Sequence, residues 1–208
     1  MLKTLNPFLT LGEKLGSMQA QLSYEIPKEL RITYVGDLND LPHEPVGIAV
    51  IKGFCSRISD TEVNYVNARL VADQHGLNIL EISKRHPSEY TNSLTVAVKY
   101  PNGEERSLTG VKFAEGDIRL TRYNEKVINI EPEGNMLIIR NKDVPGVVGV
   151  IGTLLGEAGV NIANLRLARS KEAGSAMTIV TTDQVVDDAA RERLQAQENI
   201  ISVKFVQL

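Results

Sequence analysis

A glycine-rich segment between two apolar strands, residues 141–164, constrains this chain more than any other feature. Pro145 follows the first strand, and Gly159 precedes the second. Proline at the first helical position and glycine just past the last are typical of helix ends. The segment therefore predicts a helix over residues 145–158 that connects two strands, with Pro145 at its first position.

Three glycines inside this helix, Gly149, Gly152 and Gly156, are spaced three and four residues apart and form one stripe. Each costs a helix about 1 kcal/mol relative to alanine, so the stripe indicates that another backbone comes close. A separate apolar stripe is expected to face a sheet. It consists of Val147, Ile151, Leu154 and Ala158.

The start of this helix is a candidate small-molecule site, because its free N–H groups and partial positive charge attract anions. Asn141, Asp143 and Asn161 are the polar side chains expected beside it. A structural interpretation stays open. Asp143 could cap the helix, and Asn161 could be a turn residue after Gly159.

Composition excludes several classes of function. The net charge is −3, with 15 Lys and Arg against 18 Asp and Glu before Asn135 and 8 against 8 from there on, which argues against a nucleic-acid binder. The single cysteine, Cys55, fits a reducing compartment, and no apolar run reaches the ~20 residues of a membrane span. Met1 to Gly16 lacks a signal-peptide core. A soluble cytoplasmic protein is expected.

The part before residue 134 predicts a mixed α/β domain. Gly12 and Gly16 are weak points of the first helix, residues 46–54 are ambiguous between helix and strand, and Ser59-x-x-Glu62 predicts a capping box. The predicted helices are 6–22 and 59–75, the latter with Val63, Val66 and Leu70 buried. The predicted strands are 30–35, 77–82, 94–100, 108–113 and 118–123. Residues 37–45 are expected to be a loop, and 131–134 a linker.

The part from residue 134 predicts the order β-α-β-β-α-β, which is the ferredoxin-like arrangement with both helices on one face of an antiparallel sheet. Its hairpin turn is placed at Lys171–Gly174. The predicted strands are 136–140, 161–169, 176–182 and 201–206, and the helices are 145–158 and 186–195. The fold class is therefore α+β, with domains over 1–133 and 134–208.

No catalytic site is predicted. No two glycines are spaced i, i+2, so the G-x-G-x-x-G dinucleotide fingerprint is absent, and no Gly-Lys pair could form a Walker A loop. His43, His75 and His86 have no partner at metal-ligand spacing, so no metal site is expected. His75 is interpreted as a charge partner of a helix end, and Cys55 as a buried inert thiol.

The motifs together resemble a known family. Asn141-x-Asp-x-Pro-Gly146 and Gly159-Val-Asn-Ile-Ala163 resemble an ACT domain, a small-molecule sensor. The stretch from Met136 resembles the version that ends D-3-phosphoglycerate dehydrogenase. The motifs of the first part resemble its intervening, allosteric-substrate-binding domain. They are Phe8-Leu-x-Leu-Gly-Glu-Lys-Leu-Gly16, Ala20-Gln-Leu22, Val63-Asn-x-x-Asn-Ala68 and Gly76.

The resemblance implies a regulatory and oligomerising chain of the serine-biosynthesis enzyme. Paired ACT domains would bind a small amino acid, L-serine first, and the catalytic domains with their NAD would be partners in cis or in trans. The effector-site residues would be Asn141, Asp143, Val144, Pro145, Gly146, Val147 and Asn161. Some serine-inhibited relatives carry histidine where Asn141 aligns.

The resemblance also implies an anion site for a phosphorylated substrate or related effector in the first domain. Paired basic side chains near a turn would suit phosphate, although solvated surface charge is the alternative. The candidates are Lys84, Arg85, Arg119 and Arg122. Two other identities stay open: the regulatory subunit of an iron–sulfur L-serine dehydratase, whose usual Gly-Pro-Ser-Ser-Ser-His opening is absent here, and a free-standing ACT-type sensor.

Overall fold

The computed structural model describes residues 2–85, 90–113, 116–169 and 174–208. The chain divides into a first domain, Met1–Pro132, and a second domain, Glu133–Leu208, one residue from the boundary expected from the sequence. Within the described ranges, no helix combines the length and apolar character needed to cross a membrane.

The first domain places helices against one face of a six-stranded mixed sheet. The sheet order is β2-β1-β3-β4-β5-β6, in which β1 and β2 run parallel and the other neighbours antiparallel. Leu94, Val96 and Val98 are fully buried, as their alternation predicts. The elements are α1 (Leu2–Leu22), β1 (Glu29–Gly36), a short 3₁₀ helix (Asp37–Asp40), α2 (Glu44–Cys55), α3 (Ala68–Gln74), β2 (Asn78–Lys84), β3 (Asn92–Lys99), β4 (Glu105–Lys112), β5 (Ile118–Tyr123) and β6 (Lys126–Ile130).

Glycines let α1 and α2 touch backbone to backbone. A Cβ added at Gly16 would lie 2.0 Å from the Val50 carbonyl oxygen, and one at Gly53 would lie 2.0 Å from the Glu13 carbonyl oxygen. Gly16 is therefore a packing requirement of α1 and not a weak point. The ambiguous residues 46–54 form a helix, with Gly53 on the face that meets α1.

Arg106 of β4 ties the sheet to the C-terminal end of α1. Its guanidinium donates to the carbonyl oxygens of Gln19 and Leu22 and to Ser23 Oγ, each at 2.8 Å. It also donates to Oε1 of Gln19, a residue with no exposed surface, at 2.8 Å. One cation thereby satisfies carbonyl groups that a helix end leaves without intrahelical partners.

The predicted capping box at Ser59 is wrong. Ser59 Oγ accepts from the Thr61 N–H (3.2 Å), while the side-chain oxygens of Asn64 and Asn67 accept from each other's backbone N–H groups. These Asn side chains offer the backbone an alternative to helix, so α3 begins only at Ala68. The predicted buried face is accordingly wrong at two positions: Val66 is 94% and Leu70 is 60% exposed, although Val63 is buried.

The second domain has the predicted βαββαβ order, and the ferredoxin-like fold is confirmed. Its antiparallel sheet has the order β10-β7-β9-β8. Asp187 caps the second helix by accepting from the Ala190 N–H at 2.8 Å. The predicted hairpin at Lys171–Gly174 lies outside the described residues except for Gly174. The elements are β7 (Asn135–Lys142), α4 (Val147–Glu157), β8 (Ile162–Arg169), β9 (Ser175–Thr182), α5 (Asp188–Gln195) and β10 (Ile200–Gln207).

The core of the second domain lies between this sheet and its two helices. From α4, Val147, Ile151 and Leu155 are buried, and Leu154 is partly buried. Ala158 is exposed, so the predicted apolar stripe is wrong at this position, because the helix ends at Glu157 before Ala158 can reach the sheet. The core also includes Leu137, Ile139, Val180, Val186, Ala190, Leu194 and Ile200.

Candidate functional site

The turn between β7 and α4 is the centre of the candidate site. Gly146 adopts a left-handed conformation (φ 90°) at the N-cap position, and α4 begins at Val147. The prediction that Pro145 occupies the first helical position is therefore wrong. The turn of the chain needs a positive φ just before the helix, which glycine adopts at little cost.

Asn141 is a structural residue in this fold. It is 2% exposed, and its side-chain amide is engaged on both sides. Its Oδ1 accepts from Thr178 Oγ1 at 3.0 Å, and its Nδ2 donates to the Lys142 carbonyl oxygen at 2.8 Å. A ligand could bind this amide only by displacing these partners. Asn141 therefore stabilises the turn, and its amide is not free for the effector.

Asp143 lies in the turn with its carboxylate partly exposed. No side chain among the described residues caps α4, so the alternative in which Asp143 is the helix cap is not what the structure shows. Its backbone N–H donates to the Gly174 carbonyl oxygen at 3.2 Å, and its Oδ2 lies 3.4 Å from Arg169 Nε. The backbone of Asp143 is thus fixed by the turn, while its carboxylate stays accessible to a cation.

Asn161 lies at the opposite end of α4 from Asp143. Its Nδ2 donates to Asp183 Oδ2 at 2.5 Å, and its backbone N–H donates to Gln184 Oε1 at 2.7 Å. The 11 residues of α4 separate the two ends by about 16 Å. Within one chain, the structure does not bring Asn161 together with Asp143.

The other predicted effector residues surround the start of α4. Val144 is 42% exposed, while Val147 is buried. Pro145, Gly146 and Val147 line a cavity of about 270 Å³ whose far wall is the segment that leads from α5 into β10. The sequence analysis did not identify this wall, Gln197–Ile200, or Arg169. No local sequence pattern marks them, because the pairing of β7 with β10 and of β9 with β8 brings them close to the turn.

The glycine stripe of α4 has no neighbour within the described part of the chain. A Cβ added at Gly149, Gly152 or Gly156 would meet no described atom within 4 Å. Among the described residues, the predicted close approach of another backbone is therefore not found. The stripe instead leaves a smooth, open helix face beside the exposed side chains of Val148 and Val150.

The four candidate anion ligands do not form one cluster. Lys84 ends β2 and Arg119 begins β5, with three strands between them, which separates the two strands by about 19 Å. Arg119 is already paired with Asp117 and Glu131. Arg85 directly follows Lys84, and Arg122 lies on β5.

The cysteine and the described histidines, which could in principle react or bind a metal, are occupied by packing and hydrogen bonds. Cys55 is fully buried, and burial raises the pKa of its thiol to about 11, which keeps it protonated and inert at neutral pH. His75 ends α3 with Nδ1 2.9 Å from the Val71 carbonyl oxygen, and His43 packs on Tyr34. Among the described residues, no group of three His, Cys, Asp or Glu could hold a metal ion. His86 lies outside the described residues.

The fold and this site define a class of chain: a mixed-sheet domain followed by a ferredoxin-like domain of the ACT type. The family model described as the D-3-phosphoglycerate dehydrogenase intervening domain matches residues 4–124, and the ACT domain model matches residues 135–199. The chain belongs to the D-3-phosphoglycerate dehydrogenase intervening-domain family and carries an ACT domain. The resemblance found in the sequence is confirmed.

Curated relatives agree with this assignment. The chain is 34% identical to a D-3-phosphoglycerate dehydrogenase of Synechocystis over 90% of its own length and 34% of that protein. For the enzyme of Archaeoglobus fulgidus the identity is 31%, over 97% of this chain and 38% of that protein. For that of Bacillus subtilis it is 28%, over 98% and 39%. The chain thus spans about a third of the length of the relatives it matches.

Proposed function

We propose that this chain is the effector-sensing and subunit-pairing part of a D-3-phosphoglycerate dehydrogenase of serine biosynthesis. A small amino acid, L-serine first, binds at the start of α4 where two ACT domains pair. The NAD-dependent chemistry belongs to catalytic domains that act in cis or in trans. The names of the matched relatives support the dehydrogenase and not the serine dehydratase.

One observation carries the proposal: Asp143 and Asn161 lie at opposite ends of α4. A twofold axis that passes beside α4 and is perpendicular to it would make the α4 helices of two copies antiparallel. That arrangement would bring Asp143 of one copy next to Asn161 of the other. The effector site is then incomplete in one chain, and a dimer has two equivalent complete sites, as expected for a symmetric interface.

The exposed surface of α4 supports this pairing. Glu157 is paired with Arg193 of α5, so one flank of α4 faces α5. At 100° per residue, Val148 and Gly152 lie on the opposite flank. Val148 is 42% exposed, and β8 ends the sheet with its outer edge unpaired in the described chain. An apolar, glycine-lined flank beside an open strand edge suits a second copy of the same domain.

The charges suit a zwitterion. The Asp143 carboxylate would attract the effector's ammonium group, and the free N–H groups that open α4 would donate hydrogen bonds to its carboxylate. The amide of Asn161 from the second copy can both donate and accept. The predicted anion site of the first domain is not part of this proposal, because two of its candidates lie at the end of β2 and the other two lie on β5, with three strands between.

We expect Asp143→Ala to abolish the stabilisation of the second domain by L-serine. A ligand at about 100 times its dissociation constant adds ~2.7 kcal/mol to the free energy of unfolding. Calorimetric titration and thermal melting with and without L-serine measure the effect. Without ligand, the variant should lose less than about 1 kcal/mol, because its pair with Arg169 is exposed.

Asp187→Ala is the matched control, since Asp187 does cap a helix of the same domain. We expect it to lower the unliganded stability by about 1 kcal/mol and to leave the serine-dependent shift in place. An unchanged serine shift in Asp143→Ala would contradict the proposed site. No heat for the wild type with L-serine would contradict serine sensing itself.

We expect Val148→Glu to weaken self-association, because it places a charge on the proposed pairing flank. Light scattering at tens of micromolar should give a mass above the monomer for the wild type and a lower mass for the variant. Val150→Glu is the control, since Val150 is 38% exposed on the flank that faces α5. Equal masses for the two variants would show that the pairing surface lies elsewhere.

A further inference from the structure

Arg169 shares a row of the second-domain sheet with a residue of the candidate site. The register aligns Asn141 of β7 with Ala176 of β9, and Ala176 with Arg169 of β8. Aligned residues of neighbouring strands project to the same face of a sheet. Because Leu137 and Ile139 of β7 pack under the helices, this row also faces the helices. The Arg169 side chain therefore projects from the sheet toward the start of α4. Only the small Ala176 lies between it and Asn141 in this row.

The contact between Arg169 and Asp143 is loose. Arg169 Nε lies 3.4 Å from Asp143 Oδ2, and the Arg169 side chain is 73% exposed. A guanidinium has five N–H donors in a planar fork that matches a carboxylate bidentately. Exchanging this exposed pair for a ligand costs little, because such pairs contribute about 0–1 kcal/mol.

We propose that Arg169 binds the carboxylate of the amino-acid effector, together with the free N–H groups that open α4, while Asp143 binds its ammonium group. The two side chains start as a loose ion pair of opposite sign, and a zwitterion replaces their contact with two charge-assisted contacts of its own. Arg169 thereby determines the preference for amino acids over amines that lack a carboxylate. This role rests on the effector site proposed above.

The test compares L-serine with L-serinamide, which keeps the ammonium group and replaces the carboxylate with an amide. Calorimetric titration of the full chain should show L-serine binding to the wild type at least about tenfold more tightly than L-serinamide, as expected for one hydrogen-bonded charge pair. In Arg169→Gln this preference should shrink to the part that the N–H groups of α4 supply, through a loss of L-serine affinity. Arg169→Lys, which restores the charge without the fork, should recover part of it.

Arg193→Gln is the matched control, because Arg193 is half-exposed and pairs with a carboxylate at the other end of α4. It should leave both affinities unchanged. Unchanged L-serine affinity in Arg169→Gln, or an equal loss for L-serine and L-serinamide, overturns the role of Arg169 while the effector site stands. Absence of L-serine binding by the wild type overturns the effector site together with this role. Thermal melting without ligand verifies that each variant is folded.

Discussion

Gly16→Ala is expected to lower the free energy of unfolding of the first domain by about 3 kcal/mol or more. The added methyl group would lie 2.0 Å from the carbonyl oxygen of Val50, which is backbone and cannot rotate away. The two helices must then separate, and their shared core loses contacts along its length. Overpacking of this kind costs about 1–3 kcal/mol even where side chains can adjust. Calorimetric or chemical unfolding of the full chain measures the loss.

Thr10→Ala on the same helix is the control, because Thr10 is exposed and alanine is the better helix former. We expect it to be neutral or slightly stabilising. If Gly16→Ala unfolded at the same denaturant concentration as the wild type, the backbone contact between α1 and α2 would not be what requires glycine there. Gly53→Ala should reproduce the loss, since its Cβ meets the Glu13 carbonyl oxygen at the same distance.

Arg106→Ala should destabilise the first domain by about 3 kcal/mol. The change removes the donor to the carbonyl groups that end α1 and leaves Oε1 of the buried Gln19 without this partner. Hydrogen bonds to charged groups contribute about 1.5–3 kcal/mol, and an abandoned buried acceptor adds its own desolvation cost. Arg106→Lys should recover only part of the loss, because an ammonium group cannot span the same set of acceptors.

Arg119→Ala provides the comparison for this arginine. Its partners, Asp117 and Glu131, are carboxylates on the surface, and exposed pairs contribute about 0–1 kcal/mol. Unfolding curves should therefore separate the two alanine variants clearly. Similar midpoints for both would mean that the carbonyl groups at the end of α1 find other donors, water included, at no cost.

The sequence by itself determined the fold of the second domain, because its signals are local. Short apolar segments indicated its strands, Gly159 ended α4, and the βαββαβ order left one ferredoxin-like arrangement. The alternating Leu94, Val96 and Val98 identified β3 for the same reason. The family followed from motifs that are also contiguous in the chain.

Only the tertiary structure decided which glycines meet another backbone and which polar residues meet each other. Gly16 and Gly149 are both glycines inside helices, but of these two only Gly16 faces a neighbour within the described part of the chain. Asn161 is 18 residues after Asp143 in the sequence, and a helix places it at the far end of the domain, while Arg169 returns to Asp143 along β8. Such proximity depends on strand order and register, which join residues distant in the chain and leave no local pattern to read.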